Sequence, residues 1–196
     1  TDYVYDGTEK KLGYGITTEE TGKGLLESKG HKAYVVLENN SQTEAGSHAV
    51  TVGEVAIYTG EDREANDLTG NYRITKEDGT IGVIATEENF NLELSPVSYV
   101  YDGEGHSLPE GNISSNAISG VTSYEYSTDG TTWGENPEFV TVKGEEEGYT
   151  VYVKAENPNY KNAVVRNTTV TITRRPVTVT AASKTDYVYD GTEKRL

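Results

Sequence analysis

The sequence predicts an all-β chain of tandem β-sandwich repeats, and three observations carry that prediction. The pentapeptide Tyr-Val-Tyr-Asp-Gly occurs three times, in TDYVYDGTEKKL (1–12), SYVYDGEGHSL (98–108) and TDYVYDGTEKRL (185–196). Tyrosine, valine and threonine are abundant and glycine punctuates them, a composition suited to strands joined by tight turns. No stretch sustains an apolar period of 3.6 residues over three turns. The nearest, Thr17 to Ser28, contains Gly22 and Gly24, each costing a helix roughly 1 kcal/mol relative to alanine.

The repeats set the domain organisation. The pentapeptide starts at Tyr3, Tyr99 and Tyr187, spacings of 96 and 88 residues. Each spacing is near the size of an immunoglobulin-like sandwich, about 100 residues. The expected division is a first module at 1–86, a companion module at 87–174, and the start of a third repeat at 175–196. The third repeat copies the first, differing over its twelve residues only at Lys11 and Arg195.

Composition narrows the function classes. The net charge is −15, from 32 acidic and 17 basic residues. Such a surface repels nucleic acid and anionic membranes, and neither is expected as a partner. Cysteine is absent, so disulfides and thiolate metal sites are excluded. No signal peptide, membrane-spanning run or lipidation motif is present, and any export or anchoring signal is expected outside this stretch. The 15 tyrosines and the regular β patterning argue against disorder.

The elements follow in order. Tyr3 and Tyr5 share one face of an extended segment, Val4 takes the other, and Asp6-Gly7 turns the chain. Residues 13–32 read as loop with at most one short strand. Ala33 to Glu38 is a strand, and Asn39-Asn40-Ser41 a turn. Gly46 to Val52 and Glu54 to Tyr58 read as two strands, residues 59–70 as a charged loop, and residues 71–75 as a strand. Glu77-Asp78-Gly79 turns into a closing strand at Ile81 to Ala85. After the boundary at 86–88, Phe90, Leu92 and Leu94 alternate in a strand at 89–95, and Pro96 suits a strand end. The second landmark follows, with Ile113 or Ile118 available to the core. Val121 to Ser127 is a strand, Asp129-Gly130 a tight hairpin signal, and Phe139 to Val142 a short strand. Tyr149 to Lys154 is a strand, residues 156–163 turn the chain, and Asn167 to Thr173 closes the module. A last strand, Pro176 to Ala182, precedes the third landmark and has no counterpart before Tyr3.

Two motifs carry a family resemblance. One is the strand Pro-Val-Thr-Val-Thr-Ala followed closely by Tyr-Asp-Gly-Thr, at Pro176 to Thr192. The other is Gly70-Asn71-Tyr72 with Asp78-Gly79-Thr80. Together they resemble the MBG-type immunoglobulin-like repeats of large bacterial surface proteins, Gram-positive ones especially. The second module, with Tyr124 to Gly130 and Asn157-Pro158-Asn159-Tyr160, resembles the companion repeats that alternate with them. The resemblance implies an extracellular sandwich array serving as stalk or adhesive region, and it brings no catalytic residues.

Candidate sites are few. Trp133, beside the Asp129-Gly130 turn, reads as a residue packed over its hairpin strands; sugar stacking is the functional alternative. Tyr14, Tyr34 and Tyr58 are the other residues through which the chain could stack on a glycan. Tyr149 resembles the tyrosine corner of immunoglobulin-like sandwiches, a structural role. His31, His48 and His106 lie in different segments, and no pair has metal-ligand spacing. No nucleophile setting such as G-x-S-x-G occurs. Calcium is the one cofactor with candidate oxygens, at residues 61–67 and 87–89, but neither run matches an EF-hand loop and no cofactor is expected. Lys10, Lys11 or Lys184 with Asn71 or Asn167 are conceivable isopeptide partners, and nothing singles out a pair.

The expected function is that of a non-enzymatic spacer on a bacterial cell surface, its partners being neighbouring repeats. An adhesive module for glycans or proteins is the alternative. Pro176, Val177, Val179 and Ala181 form a candidate strand-donation segment, able to complete the first module of another copy head to tail. The competing expectation is a tail that only begins an incomplete third repeat.

Overall fold

The computed structural model describes residues 2–145 and 147–195. The chain is all-β, with three short 3-10 turns at Glu27–Lys29, Thr69–Asn71 and Glu110–Asn112. Strands before residue 85 pair only with one another, and so do those after residue 91.

The first set comprises β1 (Tyr3–Val4), β2 (Lys10–Lys11), β3 (His31–Glu38), β4 (Ser41–Gln42), β5 (Gly46–Thr59) and β6 (Gly79–Ile84). The main sheet runs β1-β6-β5-β3, with β2 and β4 as a separate pair. β1 and β6 are parallel and the other pairs antiparallel. β5 replaces the two strands expected either side of Gly53. It pairs with β6 through residues 46–50 and with β3 through residues 51–59. The register shifts between Val35 and Leu37, so Gly53 and Glu54 face Val36 alone, a bulge that bends the strand. A Cβ on Gly53 would lie 3.3 Å from the Val36 carbonyl oxygen. Glycine therefore permits the bulge, where the sequence suggests a break.

The strand expected at 71–75 does not form. Residues 73–78 enter no ladder, because their side chains occupy the β5 backbone instead. Asp78 accepts from the Val52 N–H at 2.9 Å, and the Lys76 ammonium donates to the Gly53 carbonyl.

The second set comprises β7 (Leu92–Leu94), β8 (Val97–Val100), β9 (Ile113–Ser115), β10 (Ser123–Ser127), β11 (Tyr149–Glu156) and β12 (Val164–Thr173). Its main sheet runs β10-β11-β12-β8, and β7 pairs with β9. Val151, Val153 and Ala155 alternate inward along β11, and Val164 and Val170 do so along β12. With Phe90, Leu92 and Leu108 they form the buried core, each fully buried valine contributing about 1.5–3 kcal/mol. Ile113 packs against that core, whereas Ile118 is exposed. Phe139 makes a single bridge to His106 in place of a strand, and the Asp129-Gly130 turn closes only the Tyr126–Gly134 bridge.

The three landmarks fold alike. Tyr3, Tyr99 and Tyr187 each donate the phenol hydroxyl to a carbonyl eight residues on, at 3.1, 3.2 and 2.9 Å. Asp6, Asp102 and Asp190 each accept an N–H two residues on. Each also meets a basic side chain four residues on: Lys10, His106 or Lys194. The repeated sequence thus encodes a local turn that needs no sheet, since the third copy forms it beyond any ladder. The preceding residues 176–182 form no ladder either, contrary to the expected strand. They run exposed.

Candidate functional site

The residues that link the two strand sets form the most highly organised polar site among the described residues. It is assembled from the turn Asn157-Pro158-Asn159-Tyr160 before β12, the loop Ser119-Gly120 before β10, Tyr5 after β1, Glu44-Ala45 before β5, and Thr86 between the sets.

Asn159 is its centre and is 0% exposed. A buried amide must satisfy both ends of its side chain. Asn159 Oδ1 accepts from the Ala45 N–H at 2.7 Å. Asn159 Nδ2 donates to Glu44 Oε2 and, at 3.2 Å, to the Ser119 carbonyl. Its backbone N–H is taken by Asn157 Oδ1 at 3.0 Å. Its carbonyl accepts from Thr86 N–H at 2.9 Å, and the Thr86 carbonyl accepts from Lys161 N–H at 3.0 Å. Proline at 158 withdraws no donor from this set, having none. Asn157 braces the opposite side, donating through Nδ2 to the Ser119 carbonyl and Thr122 Oγ1, both at 3.1 Å.

Aromatic packing lies beneath the polar clasp. Tyr5, 2% exposed, meets Tyr160 edge to face at a centroid distance of 5.8 Å, and Tyr160 stacks on Phe90 at 5.1 Å. The Tyr5 hydroxyl and Ser119 Oγ are 2.8 Å apart. One ring column therefore runs from the first set into the second set's core, a geometry that such pairs favour. Gly120 is required here. Its φ is +80°, and a Cβ would lie 2.7 Å from Asn159 Nδ2 and 3.1 Å from Glu44 Oε2. At the rim, the Lys161 ammonium sits 2.7 Å from the Glu87 carboxylate and holds its pKa below the usual glutamate range.

This arrangement has no nucleophile beside a base and no open reacting position. It can hold two bodies together.

Of the residues singled out for glycan stacking, Tyr34 and Tyr58 are neighbours, while Tyr14 and Trp133 lie elsewhere. Tyr34 and Tyr58 lie on the same face of β3 and β5, in diagonal register, and the Arg63 guanidinium covers the Tyr34 ring at 4.0 Å. Ala33, Val35, Val55 and Ile57 occupy the other face and line a cleft of about 440 Å³, together with Tyr14. Trp133 lies in the second set, half-buried and outside the core cluster, so it does not pack as a core tryptophan. Tyr149 donates its hydroxyl to the Thr141 carbonyl at 2.9 Å, tying a loop to the sheet.

The oxygens considered for calcium serve turns and ion pairs. Asp62 accepts from Glu64 and Ala65 N–H, Asp67 from Thr69, and Glu61 pairs with Lys32. Among the described residues no three His, Cys, Asp or Glu side chains converge as metal ligands. No helix among the described residues is long and apolar enough to cross a membrane.

The sequence reading missed Asn159 as a linking residue, taking 156–163 as a turn. The signal was present in Asn157-Pro158-Asn159-Tyr160, where three residues with turn or capping chemistry precede a tyrosine. No family model matches the chain, and no curated protein matches it.

Proposed function

We propose that the chain is a non-enzymatic spacer: two tandem immunoglobulin-like sandwich modules, near 1–86 and 87–174, of the MBG type and its companion. The array stands on the outside of a bacterial cell and holds other domains away from it. The observation that carries this reading is the joint at Asn159, whose buried side chain bonds only across or beside the module boundary. A spacer must resist bending between modules. A buried amide satisfied from both sides, above a continuous column of rings, provides that resistance, because opening the joint leaves polar groups without partners. Only Tyr34 and Tyr58 of the four candidate stacking residues are neighbours, and the Arg63 guanidinium covers the Tyr34 ring; Tyr14 and Trp133 lie apart from them, which supports this reading over an adhesive one. In arrays of this kind each module contacts its neighbours, and length is set by copy number.

The test is solution scattering on chains carrying one, two and three copies of residues 1–174. A stiff spacer gains the same increment in maximum dimension with each copy. Growth that falls off towards a square-root dependence refutes the spacer. Glycan-array binding abolished by substituting Trp133 or one of the three tyrosines would establish the adhesive reading instead.

A further inference from the structure

The cleft on the first strand set plays no part in the joint. Its walls are residues 14–17 on one side and residues 72–77 on the other, over a floor of Ala33, Val35, Val55 and Ile57. We propose that this cleft is a strand-acceptor site, and that its occupant is the segment Pro176–Ala182 of a second copy of the chain.

The second strand set supplies the internal reference. There β7 lies between β9, with which it pairs, and β12, against which it packs. Arg166 of β12 donates to Asn91 Oδ1 at 3.1 Å. Phe90 and Leu92 thereby enter the core. β9 follows the leucine that closes the second landmark, Leu108, and β12 follows Asn159-Tyr160. In the first set, residues 14–17 follow the corresponding leucine, Leu12, and residues 73–78 follow Asn71-Tyr72. These two segments are the cleft walls, and neither enters a ladder. The cleft therefore occupies in the first set the position that β7 fills in the second. Residues 14–16 line it and enter no ladder, with Tyr14 and Ile16 exposed.

The occupant is chosen by matching this position. The segment that leads into β7 precedes the second landmark with Phe90, Leu92 and Leu94 alternating with polar residues. Pro176–Ala182 precedes the third landmark with the same alternation, Val177, Val179 and Ala181 against Thr178 and Thr180. Val177 is 80% and Val179 90% exposed. Pro176, lacking an N–H, suits the first residue of an added strand. Backbone pairing along residues 14–17 would supply affinity, and the two valines over Val35 and Ile57 would supply register, as in other strand additions. Because donor and acceptor are different surfaces, the contact is heterologous and extends head to tail without closing. The proposal extends the spacer reading from one chain to several. Its test leaves the Asn159 joint untouched, so either can fail alone.

The test uses the full chain and its Val177→Lys/Val179→Lys variant, whose substitutions fall on exposed residues and leave the packed core unaltered. Sedimentation velocity over a concentration series should show the intact chain forming longer species while the variant stays monomeric. A peptide spanning residues 174–184, added to the variant, should shift the amide resonances of residues 14–17 and 73–77. The same peptide carrying both lysines should bind roughly tenfold or more weakly. An intact chain that is monomeric at every concentration overturns the proposal. So does equal lengthening of the variant, or a peptide that shifts another sheet edge.

Discussion

Replacing Asn159 by alanine separates the joint from the folds that it connects. The substitution removes the side-chain hydrogen bonds to Ala45 N–H, Glu44 Oε2, the Ser119 carbonyl and, at 3.5 Å, Ser119 Oγ. The Ser119 carbonyl keeps its bond from Asn157, so its loss is small. Ala45 N–H and the Glu44 carboxylate lose a partner at half-buried positions. A neutral bond contributes about 0.5–1.5 kcal/mol and one to a charged group about 1.5–3 kcal/mol, with partial repayment by water at such sites. The expected loss is about 2–4 kcal/mol, carried by the contact between the two strand sets. Each set's own ladder is unchanged. Chemical denaturation should therefore resolve the intact chain's unfolding into two separate transitions in the variant. In a double-mutant cycle with Glu44→Ala, the two losses should fall short of additivity by about 1 kcal/mol or more, since both remove the same bond. A loss below about 0.5 kcal/mol, the range of ordinary surface substitutions, or strict additivity refutes the reasoning.

Three further outcomes follow from the same geometry. Gly120→Ala combines a positive φ with a Cβ 2.7 Å from Asn159 Nδ2, and should lower stability by about 1–3 kcal/mol in thermal unfolding. Val153→Ala, at a fully buried position of β11, should cost about 1–3 kcal/mol by denaturant titration and leave the joint intact. Lys194 holds the Asp190 carboxyl down to about 2, and Lys10 holds Asp6 below the aspartate range. Because both folded-state values are depressed, the turns' stabilisation is complete above the unfolded aspartate value of about 3.9 and is lost as pH falls through the folded values. Carboxyl carbon resonances followed by NMR should show both groups titrating late, and Lys10→Met should return Asp6 towards the ordinary range.

The parts of the fold that local pattern determines were legible in the sequence. Val151 and Val153 alternate with polar neighbours, so β11 declared itself and its inward face. The landmark repeat predicted a turn at Asp6-Gly7, and the other two copies share its hydrogen bonds. Gly53 misled, because a glycine that ends one strand and a glycine that permits a bulge look the same without the opposing strand. Residues 71–75 and 176–182 have strand composition, yet a strand exists only where another edge accepts it. Asn159 was hidden for a related reason. Its partner Ala45 lies 114 positions away, and no spacing rule reaches across two modules. That Tyr34 and Tyr58 are neighbours while Tyr14 lies on the cleft also depended on register, which composition does not fix.

A stiff spacer requires the Asn159 joint to hold the two strand sets as one body. Residual dipolar couplings of backbone amides in β5 and β11 test it most directly. Both strands should fit one alignment tensor of common magnitude and orientation, and Asn159→Ala should make the two diverge. Different tensors in the unsubstituted chain would contradict it.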